Sequence, residues 1–356
     1  MEKKASKPFL TRGGGYWSPD KDQELANCSF VKAILMLMVV LYHSLAFWTG
    51  EWFTIYEPAE EALPLLYIAK WLNSFHVYGF TLVSGYLFAY LHYERGKYRE
   101  FKPFIISKTK RLLIPYVFIS LVWVIPITVA FYRYGVKDIL YKFGLGTSPG
   151  QLWFLLMLFA VFVFAWVFKD LLQRKWAGWI IGLAFYGIGI VGDYLLPNYF
   201  SIWNACTYFV FFILGVKLRE IKKLPAPWLI ILFDVLLFAL DCFVGGLHGT
   251  AGQILKLGTS FLTHIAGALM AFTVLQFIAG KYEWKKSNVI QILVICSMPV
   301  YLLHQQIVYC SVAVFNGMIN PYLMALLNFL IALSLSLLLS KLLMHFKLTK
   351  TLIGEK

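Results

Sequence analysis

Ten apolar runs of roughly 20 residues, separated by short polar connectors, dominate the chain. A run of this length lets an α-helix span the hydrocarbon core of a bilayer. The residues are 60% apolar and 14% charged, which leaves too little polar surface for a water-soluble protein of 356 residues. We therefore predict an all-α, polytopic transmembrane bundle of about ten helices, at 28–49, 66–91, 111–132, 151–169, 176–196, 201–217, 227–246, 256–279, 289–312 and 321–345.

The basic residues are divided unevenly between alternate connectors. Connectors 92–110, 169–175, 217–223 and 281–286 and both tails are basic, and only Lys70, Arg133, Lys137, Lys142 and Lys256 fall on the other side. That leaves 27 of the 32 Lys and Arg residues on the first side. Basic connectors stay in the cytoplasm, so both termini are predicted to be cytoplasmic. The net charge of +14 is thus a topology signal and does not indicate a nucleic-acid partner.

The sequence indicates a single membrane domain. Residues 1–27 form a polar tail, residues 28–346 the transmembrane domain and residues 347–356 a second cytoplasmic tail. The five cysteines lie in or at the edges of apolar runs, without metal-ligand spacing, and we expect buried, inert thiols.

Four histidines are predicted to lie at a similar depth in the outer half of the membrane. They are His43, His76, His264 and His304, each on a different helix. A lone histidine on a helix is usually a packing group, but four at one depth favour a polar cavity in which a neutral imidazole accepts a hydroxyl proton. No histidine pair has the spacing of a zinc motif, and no metal is expected.

Basic residues near the cytoplasmic side are candidates for anion binding. Lys32 lies eleven positions before His43, which places both on one helix face about 16 Å apart along the axis. Lys108, Lys110 and Arg111 lie where the third run begins. They suit the phosphates of a donor substrate. Two other interpretations remain open. The Lys32 side chain can extend to the inner lipid headgroups, and the other basic residues can set the topology or bind anionic lipids.

Several short stretches resemble the bacterial acyltransferase-3 family of membrane O-acyltransferases, which includes polysaccharide O-acetylases. They occur in the family's order and span most of the chain: Phe30–Lys32 and Val39–His43, Phe80–Leu87, Lys108–Pro115, Gln151–Leu155 and Pro299–His304. Each stretch is short, and the ordered set is what makes the resemblance specific.

The resemblance implies transfer of an acyl group, usually acetyl from cytoplasmic acetyl-CoA, to a hydroxyl of a surface glycan. It implies that Lys32, Lys108 and Arg111 bind the donor, with lysine at two positions where arginine is common. It also places the family's histidine at His43. We expect a catalytic role for His43, as the base on the acceptor hydroxyl or in relaying the acyl group outward, and we expect His76 and His304 to shape the acceptor side.

The expected location is the bacterial cell membrane. The expected partners are the bilayer, a polysaccharide or lipid-linked glycan acceptor, and other glycan-assembly proteins. The alternative is a transporter or flippase of glycan precursors, for which an outer polar cavity would be a permeation site.

Overall fold

The computed structural model describes residues 21–221 and 226–355, and within them the chain forms helices and no strands. This confirms the all-α, polytopic bundle. Nine helical stretches in the described part are long and apolar enough to cross a membrane. The longer helices are α1 Lys21–Leu45, α2 Leu63–Asn73, α3 His76–Ala89, α4 Phe101–Tyr132, α5 Trp153–Val167, α6 Ala177–Leu195, α7 Ile202–Leu218, α8 Pro227–Val244, α9 Gly249–Lys281, α10 Asn288–Phe315 and α11 Pro321–His345.

The second predicted run, 66–91, is a correction to the sequence analysis, because it is two helices rather than one. Helix α2 ends at Asn73 and α3 begins at His76, where the Ser74 hydroxyl donates to the Trp71 carbonyl. The indole of Trp71 donates to the buried carboxylate of Asp234 in α8 over 3.0 Å. Of the ten predicted runs, 66–91 is the one that has no counterpart among the nine long helices of the described residues.

Contacts between connectors confirm that the bundle has two distinct ends. At the basic end, the Arg219 guanidinium binds the carboxylates of Glu24 and Glu94, and Lys285 binds Gln23. At the opposite end, the Asn316 side chain binds the backbone of the loop that follows α1. Parts of the basic connectors 92–110, 217–223 and 281–286 therefore lie together at the end where α1 begins.

Glycine allows the closest helix contact in the bundle, between α3 and α7. A Cβ at Gly85 would collide with the carbonyl oxygen of Phe212, and one at Gly215 would collide with that of Leu82. Backbones that meet this closely require a residue without a side chain. Gly85 and Gly215 are therefore the residues that let α3 and α7 approach each other.

Helix α4 contains two π-helical turns, Thr109–Leu113 and Ser120–Val124. Each ends two residues before a proline, at Pro115 and Pro126. Proline has no N–H to donate to the carbonyl four residues earlier, so the helix widens locally. The carbonyl of Arg111 is released in this way.

The segment after α11 folds back onto the basic end. It forms the short helix α12, Lys347–Leu352, with Ile353 buried and Gly354 close to the Arg111 carbonyl and Pro115. The predicted tail 347–356 is thus packed against the bundle over its described part. The predicted tail 1–27 lies outside the described residues up to position 20, and α1 begins at Lys21, earlier than predicted.

Candidate functional site

A cavity of about 190 Å³ lies in the half of the bundle near the basic end. Helices α1, α3, α4, α5 and α10 line it, and most of its wall is apolar, including Phe80, Phe154 and Phe162. This volume is smaller than the ~300–1,000 Å³ of typical ligand pockets. The cavity therefore suits a narrow chain rather than a whole nucleotide.

The three predicted anion-binding residues all line this cavity. Lys32 comes from α1, and Lys108 and Arg111 come from α4. Within residues 21–221 and 226–355, none of the three forms an ion pair with a carboxylate. Three cations line one cavity and form no ion pair within those ranges, an arrangement that attracts an anion, and the Glu355 carboxyl is the negative group that interacts with Lys32 and Arg111.

Aromatic rings hold Lys108 in place. Its ammonium lies 3.6 Å from the ring centroid of Phe162 and 5.1 and 5.4 Å from those of Tyr98 and Phe104. Cation–π contacts stabilise a desolvated ammonium without cancelling its charge. Lys108 is thus fixed in position and still attracts an anion.

Helix α1 connects the cavity to the histidines. It runs unbroken from Lys21 to Leu45 and carries both Lys32 and His43. The predicted separation of about 16 Å along one face therefore applies.

His43 and His304 form a hydrogen-bonded pair, with Nδ1 of His43 2.9 Å from Nε2 of His304. His304 is fully buried, and His43 is partly buried. The sequence predicts a common depth for these two histidines, and the structure brings their rings together.

The neighbouring carbonyls fix the protonation pattern of the neutral pair. Nδ1 of His304 lies 2.8 Å from the Tyr301 carbonyl and 3.1 Å from that of Val300, so it carries the hydrogen. Nε2 of His304 then accepts, and Nδ1 of His43 donates to it and to the Val39 carbonyl at 3.0 Å. Nε2 of His43 is left with its lone pair. This atom is the available base in the pair.

His76 lies beside the pair but does not bond to it. Its Nδ1 donates to the Leu72 carbonyl at 2.7 Å, across the break between α2 and α3. The ring of Tyr42 contacts both: it stacks on His76 with centroids 4.8 Å apart and meets His43 edge-on at 4.9 Å.

His264, the fourth histidine at this depth, belongs to a different cluster. It stacks on Tyr78 with centroids 4.0 Å apart, and Tyr78 stacks on Tyr208. Tyr78 follows His76 by two positions, which turns it to the opposite side of α3. His264 therefore packs with aromatic residues away from the pair.

Comparison with known families gives one decisive match. The acyltransferase-3 family model, described as an acyltransferase domain, matches residues 27–345, which is nearly the whole chain. The chain belongs to the acyltransferase-3 family. Comparison with curated proteins and with solved structures gave no match.

Membership makes the protein a multi-pass membrane acyltransferase, and it favours an enzyme over the transporter alternative. The family assignment covers every candidate residue, from Lys32 to His304. The assignment does not itself give a role to any of them.

The candidate site also contains residues to which the sequence analysis gave no role. Tyr301 lines the cavity and lies one helical turn before His304, and its hydroxyl donates to the Gln151 carbonyl. The Gln151 amide donates to the Leu302 carbonyl and to Gln306. Gln151 thus ties the start of α5 to α10. Aromatic residues inside apolar runs have no distinguishing pattern, and only the motif Pro299–His304 offered a signal for Tyr301.

Proposed function

We propose that this acyltransferase transfers an acetyl group from acetyl-CoA, bound at the basic end, to a hydroxyl of a surface or exopolysaccharide glycan on the opposite side of the bacterial cell membrane. The observation that carries the proposal is the arrangement on α1. Lys32 lies in a cavity with unpaired cations, and His43 presents a free nitrogen about 16 Å farther along the same helix.

The charges and shape of the cavity support acetyl-CoA as the donor. Its phosphates suit Lys32, Lys108 and Arg111 at the basic end, because cations without partners bind phosphate strongly. The narrow apolar cavity suits the flexible arm that carries the thioester. The nucleotide would remain outside the cavity, at the cytoplasmic surface that the basic connectors predict.

In the proposed reaction, Nε2 of His43 accepts the proton of the acceptor hydroxyl. The hydroxyl oxygen attacks the thioester carbonyl, a C–O bond forms, and the C–S bond breaks. The proton on His43 then passes to the departing thiolate, which leaves as CoA. His304 positions the base, because its Nε2 accepts the Nδ1 hydrogen of His43 throughout.

Purified protein in lipid nanodiscs, supplied with radiolabelled acetyl-CoA and extracted surface glycan, tests the proposal. Loss of a general base slows a reaction by about 10²–10⁴-fold, and we expect this for His43→Asn. His264→Asn is the matched control, since His264 lies at a similar depth but outside the pair. The proposal would be overturned if His43→Asn transferred acetyl at the wild-type rate, or if the wild type did not label the glycan.

A further inference from the structure

The loop that follows α1 covers the side of His43 that faces away from the cavity. After the turn Ala46–Thr49, Gly50 adopts a left-handed conformation with φ of 73° and the chain reverses. The reversal brings the Trp52 ring to 5.5 Å from the His43 ring. An acceptor that reaches His43 from this end therefore meets Trp52.

The loop is held firmly on both sides of Trp52. Phe53 is buried, stacks on Tyr309 with centroids 4.1 Å apart, and meets the edge of Phe131 at 5.2 Å. Farther along, the Asn316 side chain accepts from the Ala59 N–H and donates to the Glu57 carbonyl. These anchors fix the position of Trp52 without using its side chain.

Trp52 differs from its neighbours in its unused bonding capacity. Trp48 donates its indole N–H to the Glu60 carbonyl, and Trp123 donates to the Leu303 carbonyl. Among the described residues, no acceptor bonds to the indole N–H of Trp52. The Tyr309 ring is tilted by 46° to it, and Trp52 remains partly exposed. It therefore offers both an aromatic face and a hydrogen-bond donor beside the catalytic base.

The charge of the loop limits which acceptors can approach. Residues 50–62 contain Glu51, Glu57, Glu60 and Glu61 and no lysine or arginine. All four carboxylates are exposed. They repel polyanions that approach this loop, and salt weakens the repulsion.

We infer that Trp52 is the acceptor platform of this enzyme and that it stacks against a neutral pyranose ring. The inference rests on the proposed function. The C–H face of a pyranose is apolar and its rim carries hydroxyls, which matches an indole that has an apolar face and a polar N–H. A sugar stacked on Trp52 presents a rim hydroxyl to Nε2 of His43. The carboxylates of the loop select against uronate-rich or phosphorylated acceptors.

Steady-state CoA release by purified enzyme in nanodiscs, measured as free thiol, tests this inference. The acceptors are cellotriose and chitotriose as neutral probes and trigalacturonate as the anionic probe. We expect the neutral probes to stimulate CoA release and trigalacturonate to do so poorly at low salt. For Trp52→Ala we expect an acceptor KM about tenfold higher, as for the loss of one aromatic stacking contact, with the KM for acetyl-CoA unchanged.

Two further variants separate stacking from folding. Trp52→Phe keeps a ring and should recover most of the loss, while Tyr56→Ala removes another exposed aromatic residue of the same loop and should leave the acceptor KM unchanged. An unchanged acceptor KM in Trp52→Ala, or use of trigalacturonate as good as that of the neutral probes, would overturn the role of Trp52 as platform. It would leave the proposed acetyl transfer intact. A wild type that releases no CoA with any probe but acetylates extracted glycan would overturn the neutral-pyranose assignment alone. Failure with both substrates would overturn the proposed function.

Discussion

Two groups of cations at the basic end differ in what surrounds them. Arg219 is almost fully buried, binds the Glu24 carboxylate at 2.6 Å and the Glu94 carboxylate at 2.5 Å, and lies over the rings of Tyr86 and Tyr90. Lys32, Lys108 and Arg111 line a cavity and form no ion pair in the part of the chain that the structure describes.

This difference separates a cation that the fold pairs with carboxylates from cations that form no ion pair among the described residues. The fold neutralises a buried cation that binds two carboxylates. Removal of any partner leaves an uncompensated charge in an environment of low dielectric constant. A cation that the fold leaves unpaired remains available to a ligand. Similar residue types at the same end of the bundle therefore have different surroundings, and the proposed donor site uses those that form no ion pair in the described chain. The three predictions below test this contrast, beginning with the largest effect.

Arg219→Met should destabilise the protein strongly. It leaves the carboxylates of Glu24 and Glu94 close together without their shared cation, and breaking a buried pair costs about 3–5 kcal/mol. Unfolding in mixed micelles of increasing SDS content measures the loss.

Lys102→Met is the control for this variant, since Lys102 is an exposed cation at the start of α4. It should be neutral, because exposed charges contribute little to stability. If Arg219→Met is as stable as Lys102→Met, the paired cluster is not structural.

Arg111→Met and Lys108→Met should weaken donor binding without destabilising the fold. Each removes one charge-assisted contact to phosphate, worth about 1.5–3 kcal/mol, or roughly a 10- to 100-fold rise in the KM for acetyl-CoA. The SDS unfolding curve should stay near that of the wild type. If Arg111→Met and Lys108→Met lost as much stability as Arg219→Met and kept the same KM for acetyl-CoA, the cations that line the cavity would not differ in role from the ion-paired Arg219.

Glu355→Gln should strengthen donor binding by a small factor. Burial raises the pKa of the Glu355 carboxyl, while the nearby charges of Arg111 and Lys32 act in the opposite direction. Its negative charge opposes the phosphates of the donor, so its removal should lower the KM for acetyl-CoA by about twofold through a screened interaction.

The pH dependence of this effect follows from protonation. As the pH falls through the raised pKa of Glu355, the wild type loses the same charge. The difference in the KM for acetyl-CoA between the wild type and Glu355→Gln should therefore be largest at alkaline pH and decrease as the pH falls. A difference that is constant between these limits would show that the carboxylate charge is not the cause.

Sequence periodicity and charge predicted most of the fold, because the bilayer imposes both the helix length and the sidedness of basic residues. The common depth of His43 and His304 was predicted, but their hydrogen bond was not, although residues at one level on packed helices can meet. His264 was predicted to lie at the same depth, but it packs against Tyr78, away from the His43–His304 pair. Depth does not specify which face of a helix a residue occupies relative to its neighbours.

Features that depend on pairing across the chain could not be read from the sequence. The break at Ser74 is reinforced by Asp234, which is 163 positions from Trp71 along the chain. Arg219 is 195 positions from Glu24. Local hydropathy is the same with or without such contacts, so the broken helix and the neutralised arginine appear only in three dimensions.

The glycine crossing of α3 and α7 has a consequence for how the cavity admits its ligand. Backbones in direct contact cannot slide or separate without opening a void, so we expect these two helices to move as one rigid body. Helix α4 has two widened turns and two prolines, which make its backbone easy to bend. We expect α4 to bend away from the cavity when the donor enters, while α3 and α7 keep their positions.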